Sequence, residues 1–273
     1  MWAIEPIFVK LSLETSDFIQ TNTIRAIFAL LIAFIYILIK RKPKEMKISK
    51  KEVAPMIYIA LVATLFADFM YVFSLSHVSV VNAVIIGHMQ PVFIVIFGIF
   101  ILKSDKLTYF DYIGILIMIL SGILVTTGTL ENLMNFKFGT IGDLFVLSAA
   151  IAWATTAIVT RKYVKHLNTG VLAFYRFSIA AVVLSIFLIV NNRFFIANYY
   201  QVAVGIIIGL GTILYYESLT RIKAAQTSAL ELSTPVFAAV LAYFMLSEVP
   251  TIMQFVGVGL LILGLYFISR REE

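Results

Sequence analysis

Long apolar stretches alternate along the chain with short polar connections. A helix that crosses the hydrocarbon core of a bilayer needs about 20 apolar residues. Nine stretches are this long: 19–39, 53–76, 79–102, 109–129, 139–161, 169–190, 198–220, 224–246 and 251–269. The segment 1–13 is also apolar, but it is too short to span. The pattern predicts an all-α integral membrane protein with ten transmembrane helices, of which the first is shortened at its N-terminus.

The second half of the chain repeats the first. Four pairs of residues recur at two offsets: Tyr71 with Tyr215 and Pro91 with Pro235 at 144 positions, Trp2 with Trp153 and Arg25 with Arg176 at 151. Two apolar halves in one register predict an internal repeat, with five-helix units at 1–129 and 139–269. Since five is odd, the second unit inserts upside down relative to the first. This arrangement predicts a site between the halves near mid-membrane and transport by alternating access.

The same repeat bears on the start of the chain. Trp153 follows a long apolar stretch of its own span, whereas its repeat partner Trp2 follows one residue. Repeat symmetry therefore predicts roughly a dozen further apolar residues upstream of Met1. The alternative is a true half-span, with water or lipid filling the gap.

Basic residues indicate the orientation. Seven lysines and arginines crowd the connection 40–51, which the positive-inside rule assigns to the cytoplasm. Alternate crossings then put the basic residues of 103–106, 161–165, 221–223 and 270–271 on the same side. We therefore expect a multi-pass protein of the plasma membrane with both termini in the cytoplasm.

Composition agrees with a lipid environment. Of the 273 residues, 61% are hydrophobic and 13% are charged. Soluble domains average about 45–50% apolar residues and about 25% charged residues. The net charge of +6 is explained by the basic connections and does not indicate a nucleic-acid partner. The absence of cysteine excludes disulfides and cysteine-ligated metals, and no pattern in the sequence calls for a cofactor.

Several motifs point to one family. They are the Trp-Ala pairs at 2–3 and 153–154, the arginine of the second span in each half, and the segment Pro235-Val236-Phe237 followed by the acidic turn Ser247-Glu248. They resemble the EamA-type family of the drug/metabolite transporter superfamily. The resemblance implies export of amino acids or similar small metabolites through a central cavity lined by spans 1, 3, 4, 6, 8 and 9. One departure is Lys103-Ser104-Asp105, where such families usually carry Gly-Glu.

Ionisable side chains inside spans are candidates for function, because each costs at least about 2.5 kcal/mol at mid-membrane. Glu231 shares a helical face with Ser228 and precedes Pro235 by one turn, which suggests a site for a substrate amine or a proton. His88 lies one position beyond Gly87, the repeat equivalent of Glu231, so a Glu–His pair would couple transport to protons. A packed, hydrogen-bonded core histidine is the alternative for His88.

Further residues complete the expected cavity. Two are acids, Asp68, whose repeat equivalent is a threonine, and Glu5, for which structure and function are equally open; the others are Trp153, Tyr71, Tyr215 and Asn82. Packing is the alternative for each aromatic residue. Pro91 and Pro235 are expected to break their helices, since proline removes a backbone hydrogen bond.

Three ionisable residues are given structural roles. Arg25 and Arg176 recur in both halves, so we expect them to snorkel or to cap a neighbouring helix. Two arginines in the cavity would instead indicate phosphate or carboxylate substrates. Glu217 is expected to pair with Arg221 one turn later.

Other function classes fit less well. No phosphate-binding glycine loop, metal-binding histidine pair or nucleophile elbow is visible, so an enzyme is not expected. A nucleotide-sugar or sugar-phosphate carrier of the same superfamily is the nearer alternative, and a non-transporting helical scaffold is another. The expected partners are a small-molecule substrate, protons and the lipid bilayer, with the chain a monomer or a weak homodimer.

Overall fold

The computed structural model describes residues 1–41, 43–102, 108–221, 231 and 233–269. Within these ranges the secondary structure is helical and no strand occurs. The helices of the first half are α1 Glu5–Leu13, α2 Phe18–Ile39, α3 Lys50–Ile59, α4 Phe69–Ser74, α5 Val80–Gly87, α6 Gln90–Leu102, α7 Tyr109–Thr127 and α8 Leu130–Met134. Those of the second half are α9 Ile141–Val159, α10 Thr169–Val190, α11 Tyr199–Arg221, α12 Thr234–Leu246 and α13 Ile252–Ser269.

Seven helical stretches of the described residues are long and apolar enough to cross a membrane: Phe18–Ile39, Lys50–Ser74, Val80–Gly98, Tyr109–Thr127, Ile141–Val164, Thr169–Val190 and Tyr199–Ser218. Two apolar helices are shorter, Thr234–Leu246 and Ile252–Ile268. The prediction of an all-helical membrane protein is confirmed in this form. Of the expected span 224–246, residues 224–230 and 232 lie outside the described residues, and α12 covers Thr234–Leu246.

Hydroxyl residues and acids define where several helices begin. Thr108 precedes α7 and Thr140 precedes α9, and each forms a capping box with an aspartate three residues later. In both boxes the threonine hydroxyl accepts from a backbone N–H and the aspartate accepts from the backbone of the threonine. These caps end the polar connections and start the apolar helices.

Some stretches depart from regular α-helix. The span Lys50–Ser74 contains a π-helical segment, Ala60–Asp68, between α3 and α4. Another π-helical segment, Thr160–Val164, follows α9. The helix that begins at Val80 is interrupted at His88 and Met89, and α6 starts at Gln90, immediately before Pro91. Likewise Pro235 lies in the first turn of α12, where its missing N–H costs no helical hydrogen bond.

Glycines and alanines let neighbouring helices approach closely. α13 packs along α7, and a Cβ atom added to Gly114 would lie 2.7 Å from the carbonyl oxygen of Gly264. α2 packs against both α10 and α11, with Ala29 and Ala33 fully buried at that interface. α1, α5 and α12 contact one another, and the main hydrophobic core includes residues of all three.

Candidate functional site

A cavity of about 160 Å³ lies among the helices. Seven of the residues expected from the sequence to form a cavity line it: Glu5, Asp68, Tyr71, His88, Trp153, Tyr215 and Glu231. Residues from both halves of the chain therefore share one space. Ser228 lies outside the described residues.

Two arginines and two acids form a buried cluster on one wall. The guanidinium of Arg25 lies 3.2 Å from a carboxylate oxygen of Glu5 and 3.3 Å from one of Asp68. The guanidinium of Arg176 lies 3.2 Å from the other oxygen of Asp68. Asp68 is thus held between two cations from α2 and α10. Charges taken out of water need such partners, because an unpaired buried ion is costly.

The two arginines differ from their expected position. The side chain of Arg25 is 3% exposed, and both guanidinium groups line the cavity instead of reaching an interface. Arg25 and Arg176 are thus held by buried acids, and their structural role stays a prediction. Hydropathy cannot reveal that the two arginines pair with buried acids, because those acids lie far away in the sequence.

Two tryptophans donate to the carboxylates of the cavity. The indole N–H of Trp153 donates to Oδ1 of Asp68 at 2.9 Å. The indole N–H of Trp2 donates to Oε1 of Glu231 at 3.2 Å. Trp2 and Trp153 are the residues that the repeat pairs, and each bonds an acid of the other half. Trp2 was not among the expected cavity residues, although its partnership with Trp153 was a visible signal.

His88 lies at the interruption between α5 and α6. Its Nδ1 is 2.7 Å from the carbonyl oxygen of Val84. Because a carbonyl only accepts, Nδ1 is the donor and carries the hydrogen. A Cβ atom added to the neighbouring Gly87 would lie 3.8 Å from the Tyr71 ring and 3.9 Å from the Trp153 ring, so the helix passes close to both, and His88 itself lines the cavity. The interruption therefore exposes the imidazole to the cavity while one ring nitrogen is engaged by the backbone.

Asn82, expected in the cavity, is not among the residues that line it. It lies in the first turn of α5, where its amide donates to Asp143 Oδ1 at 3.2 Å and accepts from the amide of Gln254 at 2.7 Å. The cavity residues of α5 lie later in the helix, at Val84 and Gly87. Asn82 instead connects α5 to α9 and α13.

Glu217 lies outside the residues that line the cavity. Its Oε1 accepts from the Tyr36 hydroxyl at 2.6 Å and from the Thr169 hydroxyl at 3.0 Å. It therefore joins α2, α10 and α11. The expected pair with Arg221 is not tested, since that side chain is outside the described part of the chain.

Similarity to known proteins bears on what this cavity serves. A sequence model of the EamA-like transporter family matches residues 1–127 and 140–270. The chain belongs to the EamA-like transporter family. This confirms the resemblance found in the sequence, and the protein is accordingly a membrane transporter.

Several EamA-like relatives are uncharacterized transporters. One from Synechocystis sp. is 27% identical over 237 residues, which cover 81% of this chain and 66% of that protein. The chain thus spans about two thirds of that relative. The inner membrane transporter YhbE of Escherichia coli is 25% identical over 244 residues, which cover 86% of this chain and 75% of YhbE.

The fold is shared with solved structures. One crystal structure superposes with a TM-score of 0.70 over 98% of this chain and 92% of the other, at 14% sequence identity. At that identity the likeness concerns the fold alone. The superposition shows that this EamA-like chain has a fold already seen in a solved structure, and it does not indicate a substrate.

Proposed function

We propose that the chain is a secondary transporter that exports amino acids or similar small metabolites by alternating access. The observation that carries the proposal is Glu231, a cavity carboxylate that accepts from the neutral indole of Trp2. A carboxylate in such a place can bind a substrate ammonium or exchange a proton as the cavity faces each side. The aromatic residues around it supply apolar contact with a few polar groups, which is typical of small-molecule sites.

The arrangement of the helices in two inverted five-helix units is part of the proposal. α2 and α10 each have 22 residues and begin 151 positions apart. α6 and α12 each have 13 residues and begin 144 positions apart. These are the offsets of the sequence repeat. Trp2 and Trp153 each donate a hydrogen bond to an acid in the other half of the chain, which agrees with a pseudo-two-fold axis. Both observations support units at 1–129 and 139–269 with a shared cavity.

A carrier of sugar phosphates or nucleotide sugars is the second candidate. It is favoured by the presence of Arg25 and Arg176 in the cavity, since guanidinium groups bind phosphate well. Their existing partners weigh against it, because both guanidinium groups already face Asp68. The cavity of about 160 Å³ is also below the roughly 300–1,000 Å³ of pockets for drug-sized ligands. Both facts favour a small substrate.

Transport by the purified protein in proteoliposomes tests the proposal. A panel of radiolabelled amino acids, sugar phosphates and nucleotide sugars is offered with and without a pH gradient, and empty liposomes serve as the control. We expect one or more amino acids to be transported, faster with the gradient. Transport of phosphorylated sugars alone would establish the second candidate. Efflux from preloaded cells then measures the direction.

A further inference from the structure

Polar groups from three parts of the fold meet near one end of α1. The ammonium of Lys10 lies 2.5 Å from Oε1 of Glu248 and donates to the backbone carbonyl of Val78 at 2.9 Å. The other carboxylate oxygen, Oε2 of Glu248, accepts from the backbone N–H of Val80 at 2.8 Å. We call these four residues the latch. It joins α1, the start of α5 and the connection between α12 and α13.

The local backbone holds Glu248 in place. Ser247 ends α12 with a φ of 55°, in the left-handed region, and the N–H of Glu248 donates to the carbonyl of Ala242. Val80 is the first residue of α5, and its N–H is one of those that helix geometry leaves without an intrahelical acceptor. A carboxylate is favoured at this position by the helix dipole. Glu248 therefore caps α5 while it binds Lys10.

The latch lies close to the cavity along the helices that line it. Lys10 follows the cavity residue Glu5 on α1 by five residues, which is about 7.5 Å of helix. Val80 precedes the cavity residue Val84 on α5 by four residues, about 6 Å. Because α1, α5 and α12 contact one another, the latch fixes their ends together directly beyond the cavity.

We propose that the latch closes one end of the cavity and that it must open for substrate to pass there. This inference rests on the proposed alternating access. The side chains of Lys10 and Glu248 are 29% and 17% exposed, so water can reach both charged groups and solvate them when the ion pair breaks. The pair of Arg25 with Asp68 is far more buried, at 3% and 1%. A partly exposed ion pair contributes little to stability, which suits a contact that breaks in every cycle.

Spin-label distances test the latch directly. Cysteines replace Ser76, in the connection that precedes α5, and Val249, in the connection between α12 and α13. Both positions are exposed, and the chain has no native cysteine. The labelled protein is placed in nanodiscs and measured by continuous-wave and pulsed electron paramagnetic resonance. We expect a short, narrow distance distribution in the otherwise unchanged chain. Lys10→Met should add a longer component, and Glu248→Gln should do the same.

Two controls separate loss of the latch from loss of any charge. Lys10→Arg keeps the cation and should keep the short distance. Arg193→Met breaks the ion pair with Asp17, which is also partly exposed but lies outside the latch, and should leave the distance unchanged. Folding of each variant is checked by size-exclusion chromatography.

The possible results distinguish the latch from the proposed function. An unchanged distance in either folded latch variant, Lys10→Met or Glu248→Gln, overturns the latch whatever the transport assay gives. A lengthened distance together with no amino-acid transport by the wild-type protein supports the latch and refutes the substrate class. A lengthening of equal size in Arg193→Met would also overturn the latch, since loss of an ion pair outside the latch would then have the same effect as loss of the latch pair.

Discussion

Individual acids in the cavity differ in the kind of partner they face. Glu5 and Asp68 lie against guanidinium groups, whereas Glu231 accepts from a neutral indole N–H. A carboxylate beside a fixed cation has its charge balanced by the protein. Considering the described residues alone, the charge of Glu231 is therefore the one that a proton or a substrate ammonium is best placed to neutralise.

Glu231→Gln tests this role. The glutamine keeps the size and an acceptor for the Trp2 N–H but fixes the charge at zero. We expect the variant to fold and insert normally and to lose transport driven by a pH gradient, as measured in proteoliposomes. If the acid only pairs with a substrate amine, binding should weaken by about 1.5–3 kcal/mol instead.

His88→Ala is the companion variant. A shift of the pH midpoint of transport would indicate that His88 and Glu231 act together, and an unchanged midpoint would indicate core packing. Wild-type rates and unaltered pH dependence in Glu231→Gln would remove Glu231 from the mechanism. Asp68 would then be the next candidate.

Asp68→Asn should destabilise the protein. The substitution removes the negative charge between Arg25 and Arg176; Arg25 keeps Glu5, but Arg176 then faces no acid among the described residues. Breaking one partner of a buried pair typically costs about 3–5 kcal/mol. The free energy of unfolding in mixed micelles, followed by circular dichroism, measures the loss.

The matched control for this loss is Asp17→Asn. Asp17 also pairs with an arginine, Arg193, but the pair is partly exposed and worth about 0–1 kcal/mol. Asparagine also serves as well as aspartate at the N-cap of α2 that Asp17 provides. Equal losses in both variants would contradict the special role assigned to the buried cluster.

Some residues that line the cavity were predictable, where a rule about single positions applied. Ionisable residues within apolar spans are rare, and that rule alone found Glu5, Asp68, His88 and Glu231. It gave no information on partners, so the pairing of the two arginines was missed. Asn82 lies away from the cavity lining, which the sequence could not show because helical position alone does not indicate which residues of α5 face the cavity.

At the scale of elements, the π-helical segment Ala60–Asp68 sets the position of Asp68. A π-helix has wider turns than an α-helix and often occurs at functional sites. An apolar stretch has the same composition whether it forms an α-helix or a π-helix, so the sequence predicted the span but not the π-helical segment. The span itself was predictable, since a helix satisfies its backbone hydrogen bonds internally in lipid.

The contact of α7 with α13 provides a test of helix packing. A Cβ atom added to Gly264 would lie 2.5 Å from Met118 Cγ and 3.0 Å from the carbonyl oxygen of Gly114. Gly264→Ala should therefore overpack the contact and cost about 1–3 kcal/mol, partly offset by the better helix propensity of alanine. Thermal unfolding in detergent measures the change.

Gly259→Ala is the control on the same helix. Apart from the neighbouring backbone of α13, no atom of the described residues lies within 4 Å of the position that its Cβ would take. The variant should be as stable as the wild type or slightly more stable. A loss equal to that of Gly264→Ala would show that glycine matters for the flexibility of α13 and not for its contact with α7.

At the scale of the whole molecule, the orientation is open to direct measurement. Single cysteines at Lys47 and Lys165 should be protected from impermeant thiol reagents in intact cells, because the positive-inside rule puts them in the cytoplasm. Cysteines at Asn135 and Asn192 should react. All four positions are exposed, and the absence of native cysteine removes background. Labelling at position 47 from outside would reverse the orientation.

The overall class was predictable from length and hydropathy, but the contacts that build the site were not. Trp2 reaches Glu231 across 229 positions, and Lys10 reaches Glu248 across 238. Such pairs depend on how helices pack, for which a single sequence carries no direct signal. The repeat was the exception, because it related Trp2 to Trp153 before any packing was known.

The buried cluster has an electrical consequence. The formal charges of Glu5, Arg25, Asp68 and Arg176 cancel, so the cavity reorientation that we propose would move no net charge with these four residues. The membrane voltage does about 2.3 kcal/mol of work per elementary charge at 100 mV. Among the described cavity residues, Glu231 and whatever neutralises it then determine whether a transport cycle generates current.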